Sequence, residues 1–263
     1  MIEAHTVDSW TRVADRNTAF FRYLTILGGF AAPLFLWLAG LGVAMSAART
    51  CAKTGSRARA VEAACRRGLE IFVLAFLFRL QAFIVSPGSH PVTLFRVDVL
   101  NVMGPAMVAA GLVWAVSDRA AIQVIVYAAT AVLVAMATPV ARAAPLVDAL
   151  PVWLQWYIRP AGEYTTFTLL PWAGFVMAGA AIGVLIVAVR DERSVRRMLW
   201  AVGLTGAVLA AVGYAASFQP TIYSVPSGFW TSSPTWFVMR TGIMIGGCHS
   251  KYQSSSDRIS ICE

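Results

Sequence analysis

The sequence predicts an all-α, polytopic transmembrane bundle, and three observations carry that prediction. Hydrophobic residues fill 58% of the 263 positions and charged ones only 13%, where an ordinary soluble domain has about 45–50% and about 25%. The apolar residues fall into blocks of about twenty, each long enough as a helix to cross roughly 30 Å of hydrocarbon. Most of the cations sit in the connections between blocks, which is a membrane-orientation pattern, so the net charge of +8 does not indicate a nucleic-acid partner. Mean hydropathy of +0.67 excludes a soluble globular protein. A β-barrel would instead show weaker, alternating ten-residue segments.

Six full spans are expected at about 18–47, 61–86, 97–117, 119–138, 165–189 and 195–217. The first opens on aromatic residues and contains Gly28-Gly29, Gly40 and Gly42, small residues that let helices approach closely. The second carries Arg66 and Glu70 four residues apart, able to pair on one face, and Arg79 nine residues further on, about 13 Å deeper. Arg96, Asp98 and Asn101 stand at the start of the third. Between the fourth and fifth spans, Pro139, Pro145, Pro151 and Pro160 surround Trp153-Leu154-Gln155-Trp156-Tyr157, which predicts a short interfacial helix rather than a continuous one. The fifth span holds Gly174, Gly179 and Gly183. A seventh, incomplete span begins at Pro234 and carries Arg240, while 248–263 is a polar, serine-rich tail expected to be disordered or aberrant. Residues 1–247 therefore form the membrane domain, and the chain reads as incomplete at both ends.

Orientation follows from the cations. With the first span running outside to inside, Arg49, Lys53, Arg57, Arg59, Arg66 and Arg67 lie inside, as do Arg119, Arg190, Arg193, Arg196 and Arg197. Fewer lie outside, so the N-terminus is assigned outside. Arg79, Arg96, Asp98, Asn101 and Arg240 then share the outer half. Ionisable residues at membrane depth are costly, by about 2.5–3.5 kcal/mol on insertion scales, and face a polar interior.

His5, with Glu3 and Asp8 beside it, precedes the first span on the outer side. Histidine exchanges protons near neutral pH, which suits general-base work, although spacing alone fits an exposed terminal residue better. His90 belongs to a Pro- and Gly-containing turn, and His249 to the tail. Cys51, Cys65, Cys248 and Cys262 form no C-x-x-C pair and have no histidines at zinc spacing, so neither a disulfide scaffold nor a metal site is expected. No Walker loop, dinucleotide fingerprint or nucleophile elbow is present.

Three segments together resemble one family. Glu3-Ala4-His5-Thr6-Val7-Asp8-Ser9-Trp10 followed by Gly28-Gly29-Phe30-Ala31-Ala32-Pro33 is similar to the first two-helix region of bacterial membrane proteins related to heparan-α-glucosaminide N-acetyltransferase. Phe95-Arg96-Val97-Asp98-Val99-Leu100-Asn101-Val102-Met103-Gly104 resembles its Arg-x-x-x-Val-Leu-Gln/Asn-x-x-Gly element, and Leu170-Pro171-Trp172-Ala173-Gly174 its Pro-Trp-x-Gly helix. The resemblance implies a multi-pass enzyme of the bacterial inner membrane that moves an acyl group, typically acetyl, from cytoplasmic acyl-CoA to an acceptor outside. It implies acyl-CoA as co-substrate with no permanently bound cofactor. As partners it implies the lipid bilayer and a carbohydrate or small-molecule acceptor, with a homodimer left open. His5 matches the family's catalytic histidine, acting as general base or transient acyl carrier. Asp8, Arg79, Arg96, Asp98, Asn101 and Arg240 are the substrate-binding candidates. The family's preceding helix, with its Asp-x-x-Arg-Gly signature, is not in this sequence, and the chain by itself is expected to have little activity. The competing reading is a transporter or flippase for an anionic or sugar-bearing solute. A non-catalytic scaffold is the third.

Overall fold

The computed structural model describes residues 11–259, apart from 87, 89, 161–163, 166, 190 and 225–231. His5 and Asp8 lie outside the described residues. Helix α1 (Ala19–Gly28) begins where the Thr18 hydroxyl accepts the Phe21 N–H, an N-cap that satisfies one of the free donors of the first turn. Helix α2 (Ala31–Thr54) follows after a two-residue break at Gly29 and Phe30, and Ala19–Thr54 together make one span candidate, so the expected span 18–47 is one crossing with a break inside it. The sequence contains the cause: Pro33 has no N–H to offer the Gly29 carbonyl four residues earlier. α2 ends at Gly55, whose φ of +63° is the left-handed conformation that glycine adopts without a steric penalty.

The remaining helices are α3 (Arg57–Val85), α4 (Val99–Trp114), α5 (Ala120–Ala143), α6 (Val152–Gln155), α7 (Leu169–Ala188), α8 (Glu192–Ala216) and α9 (Pro234–Ile259). Side chains of Ser56 and Asp191 cap the starts of α3 and α8 by accepting the N–H groups of Arg59 and Ser194. Ala19–Thr54, α3, α5, α7 and α8 are each long and apolar enough to cross a membrane. α4 is shorter than the expected 97–117. Its 16 residues span roughly 24 Å, less than the hydrocarbon core. Pro139 does not end the fourth span as expected but sits inside α5. The interfacial helix is reduced to the four residues of α6, preceded by a 3₁₀ turn at Pro145–Ala149.

α7 is the centre of the bundle, buried almost all round from Pro171 to Val184. It packs on α2 and α5, α3 packs on α4, and α8 pairs chiefly with α9. The α2–α7 contact is backbone against backbone. A Cβ at Gly40 would lie 1.8 Å from the Val176 carbonyl oxygen, and one at Gly179 would lie 1.9 Å from that of Trp37. Gly42, expected to allow close helix approach as well, faces open space. Leu69, Val73, Leu77, Leu80 and Ile84 of α3 are exposed along one side, as a lipid-facing helix requires.

Candidate functional site

Two polar regions lie at opposite ends of the bundle: a basic end, where α2 meets α3 and α4 meets α5, and a second end, where α3, α4 and α7 meet the connecting segments. At the second end, Arg79 of α3 forms an ion pair with Asp98. The pair follows from the helix start: Asp98 precedes α4, and its N–H donates to Asn101 Oδ1 at 3.0 Å, half of a capping box. Arg96 is near enough for its charge to act on Arg79. Arg79, Arg96, Asp98 and Asn101 are brought together as their shared depth predicts.

Asn101 is 1% exposed and its Nδ2 has no hydrogen-bond partner. An unpaired buried amide donor is unusual in a folded protein. The Tyr157 phenol lies within reach of the Asn101 amide: burial pushes the phenol up, and hydrogen bonding by the amide pulls it the other way. The Arg96 Nε and Thr165 hydroxyl nearby are likewise buried without a partner. A backbone bridge closes this end: the Val97 N–H donates to the Tyr164 carbonyl at 3.0 Å. Trp156 stacks on Tyr164 with ring centroids 4.9 Å apart.

Two further arginines, counted in the sequence only as outer charges, fix this segment. Arg159 donates to the Arg142 and Ala144 carbonyls at 2.6 Å each, satisfying the free end of α5. Arg142 donates to the Thr168 hydroxyl at 2.7 Å and to the Leu170 carbonyl at 3.1 Å, tying α5 to the start of α7.

Arg240 stands apart from this cluster in its contacts. It is 5% exposed, donates to the Gly29 carbonyl, and lies between the rings of Phe30 and Trp236. Arg66 pairs with Glu70 at 3.1 Å, as the i,i+4 spacing predicts, and Arg67, three residues before Glu70, pairs with it at 3.4 Å. All three are well exposed, so the pairs are worth little. His90 caps the 3₁₀ turn at Pro91–Phe95 through Nδ1, which accepts the Val92 N–H.

The basic end holds a cavity of about 350 Å³ that the sequence did not reveal, lined by residues of α2, α4, α5 and α7 and by Arg57 and Asp118. The Arg57 guanidinium lies over the Trp114 ring, 4.6 Å from its centroid. With Gln123, Arg57 donates to the Trp114 and Ser117 carbonyls at the end of α4. In the sequence Arg57 stood out only as one of the inner cations of the 49–67 connection, and nothing joined it to Trp114 or Gln123. A larger hollow of about 670 Å³ runs past Glu62, Arg66 and Glu70, but every residue lining it belongs to α3. It is a lipid-facing surface and not an enclosed site. Among the described residues, no group of three or more His, Cys, Asp or Glu side chains is placed to hold a metal ion.

Comparison with known proteins gives a family. Residues 1–219 match the catalytic domain described as heparan-alpha-glucosaminide N-acetyltransferase. No curated protein and no solved structure matches the chain. The family match spans every helix from α1 to α8 and both polar ends of the bundle, and the chain is an integral membrane protein belonging to the heparan-alpha-glucosaminide N-acetyltransferase catalytic-domain family.

Proposed function

We propose that the protein transfers an acyl group, typically acetyl, from acyl-CoA at the basic end to an acceptor at the Arg79–Asp98 end, with the basic end inside the cell. The observation that carries this reading is the buried Asn101 amide, whose Nδ2 makes no hydrogen bond, beside the Arg79–Asp98 ion pair. Such a donor has a use for a developing oxyanion or an acceptor hydroxyl, and preorganised donors aimed at developing charge commonly contribute more to acyl transfer than any other single effect. The cavity at Arg57 and Trp114 supplies the donor side, its cation and indole matching a phosphate-bearing, aromatic headgroup. Asn101 and Trp114 are 13 residues apart on α4, about 20 Å along the axis. The short helix therefore brings the two ends closer than a full hydrocarbon thickness would.

In the proposed step, His5 takes the proton from the acceptor N–H or O–H as that atom attacks the thioester carbonyl. The C–S bond breaks, and the coenzyme A thiolate takes up a proton and leaves as the thiol. Arg79, Arg96, Asp98 and Asn101 hold the acceptor, and Asp8 orients His5. The acceptor is an amino sugar, another glycan or a small molecule with a free amine or hydroxyl.

The experiment is thioester consumption by the protein produced from its own gene and reconstituted in vesicles, with and without acceptor. His5→Ala is expected to lower turnover by about a hundredfold or more, within the usual 10²–10⁴ range for a lost acid–base group. His90→Ala should change little. Undiminished turnover in a correctly inserted His5→Ala protein removes His5 from the mechanism.

A further inference from the structure

We infer that Arg240 is a positioning residue: from α9 it holds the break between α1 and α2, and so sets the direction in which α1 leaves the bundle. The break originates at Pro33. Because proline lacks an N–H, the Gly29 carbonyl loses the donor that a continuous helix would supply, and at membrane depth a bare carbonyl has no water to turn to. Arg240 Nη1 donates to that carbonyl from another helix. Its guanidinium carbon lies 4.7 Å from the ring centroid of Phe30, inside the break, and 4.4 Å from that of Trp236 on its own helix. One cation thus joins both sides of the break to α9 through a carbonyl and two π faces, interactions that hold a desolvated guanidinium well.

The fit is close at both ends. A Cβ at Gly29 would lie 3.0 Å from Arg240 Nη2, so a side chain there presses on the guanidinium. Arg240 is 5% exposed, and none of the ion pairs among the described residues involves it. A buried arginine held by ring faces and a carbonyl serves the break rather than a solute at the Arg79–Asp98 end. The inference goes beyond the acyl-transfer reading and does not depend on it.

The test is a distance. Tyr23 of α1 and Leu133 of α5 are both exposed. They are replaced by spin-labelled cysteines in a protein whose Cys51, Cys65, Cys248 and Cys262 are serine. Tyr23 lies six residues before Gly29, about 9 Å along the helix. Relaxing a kink by about 20° therefore moves the label by roughly 3 Å. Arg240→Met is expected to shift or broaden the distance distribution by about that amount, and Arg240→Lys, which keeps the charge but not the planar fork, by less. Pro33→Ala returns an N–H to the Gly29 carbonyl and should shift the label by itself. Adding Arg240→Met to Pro33→Ala should then move it little further. If Arg240→Met does not insert, Arg240→Lys and Pro33→Ala carry the test. Distributions identical to the parent protein in the variants that insert overturn the inference, as does full additivity of Pro33→Ala and Arg240→Met. Because the readout is a distance and not turnover, its failure is separable from failure of the acyl-transfer reading.

Discussion

Replacing Gly40 by alanine tests the centre of the fold, and Gly42 two residues away provides the control. The new Cβ at Gly40 would stand 1.8 Å from the Val176 carbonyl oxygen, with the Val176 carbonyl carbon and Cα at 2.7 and 2.9 Å. All three atoms are backbone, so no side chain can swing aside. α2 and α7 must part by roughly an ångström or more along an interface that holds Leu36, Trp37, Val43, Phe175 and Val176. Overpacking of this kind typically costs about 1–3 kcal/mol, and two backbones in contact place Gly40→Ala at the upper end. At about 1.4 kcal/mol per factor of ten, 3 kcal/mol lowers the folded-to-unfolded ratio by roughly a hundredfold. A Cβ at Gly42 would meet nothing within 4 Å, so Gly42→Ala should be neutral or stabilising by up to about 1 kcal/mol through helix propensity alone. Thermal unfolding in detergent, followed by loss of the monodisperse peak, should rank the proteins Gly42→Ala, parent, Gly40→Ala from most to least stable. Equal stability of the two alanine variants would refute the backbone contact between α2 and α7.

Other outcomes follow from the two ends of the bundle. Asn101→Ala should lower acceptor-dependent turnover by about 10²–10³, the loss usually seen for one oxyanion donor, and should cost about 1 kcal/mol of stability because it also removes the Oδ1 that accepts the Asp98 N–H at the start of the helix. Trp114→Ala removes the ring beneath Arg57 and should raise the KM for acyl-CoA more than it lowers kcat, measured by varying donor at saturating acceptor. Arg66→Ala breaks only an exposed pair and should change stability by no more than about 0.5 kcal/mol. Burial raises the Tyr157 phenol above its ordinary value, so the folded state favours the neutral form. That contribution is fully present below the unfolded pKa of about 10 and is lost as pH rises through the folded value. Tyr157→Phe should therefore flatten the alkaline loss of stability, seen in unfolding curves above about pH 10.

Much of this architecture was legible in the residues themselves. Block length located the spans, since a helix that must satisfy its own backbone in lipid needs about twenty apolar residues. Counting along the second and third spans put Arg79 at the depth of Asp98, whereas the cap that joins Asp98 to Asn101 was not read from the sequence. The break before α2 was also written in the sequence, in Gly29 and Pro33. It was hidden by the apolar run around them, because hydropathy measures transfer from water and is blind to a missing N–H. Pro139 misled in the opposite sense, since α5 carries it without ending. The cavity at Arg57, Trp114 and Gln123 was not legible, because residues from separate segments meet there only after the helices pack. The same is true of Arg142 and Arg159, whose partners include backbone carbonyls at the end of α5 and the start of α7 that come within reach only after the helices pack.

Acyl transfer between the two ends of the bundle requires that a thioester on one side of the bilayer be consumed for an acceptor on the other. The direct measurement uses sealed vesicles holding the protein in one orientation, with acetyl-CoA confined to the side of the Arg57 cavity and an amine- or hydroxyl-bearing glycan confined to the other. Acyl transfer predicts coenzyme A thiol on the donor side and acylated glycan on the acceptor side, appearing together in equal amounts and both strongly reduced by Asn101→Ala. Passage of the glycan or another solute with the acetyl-CoA left intact would contradict acyl transfer and establish the transport reading in its place.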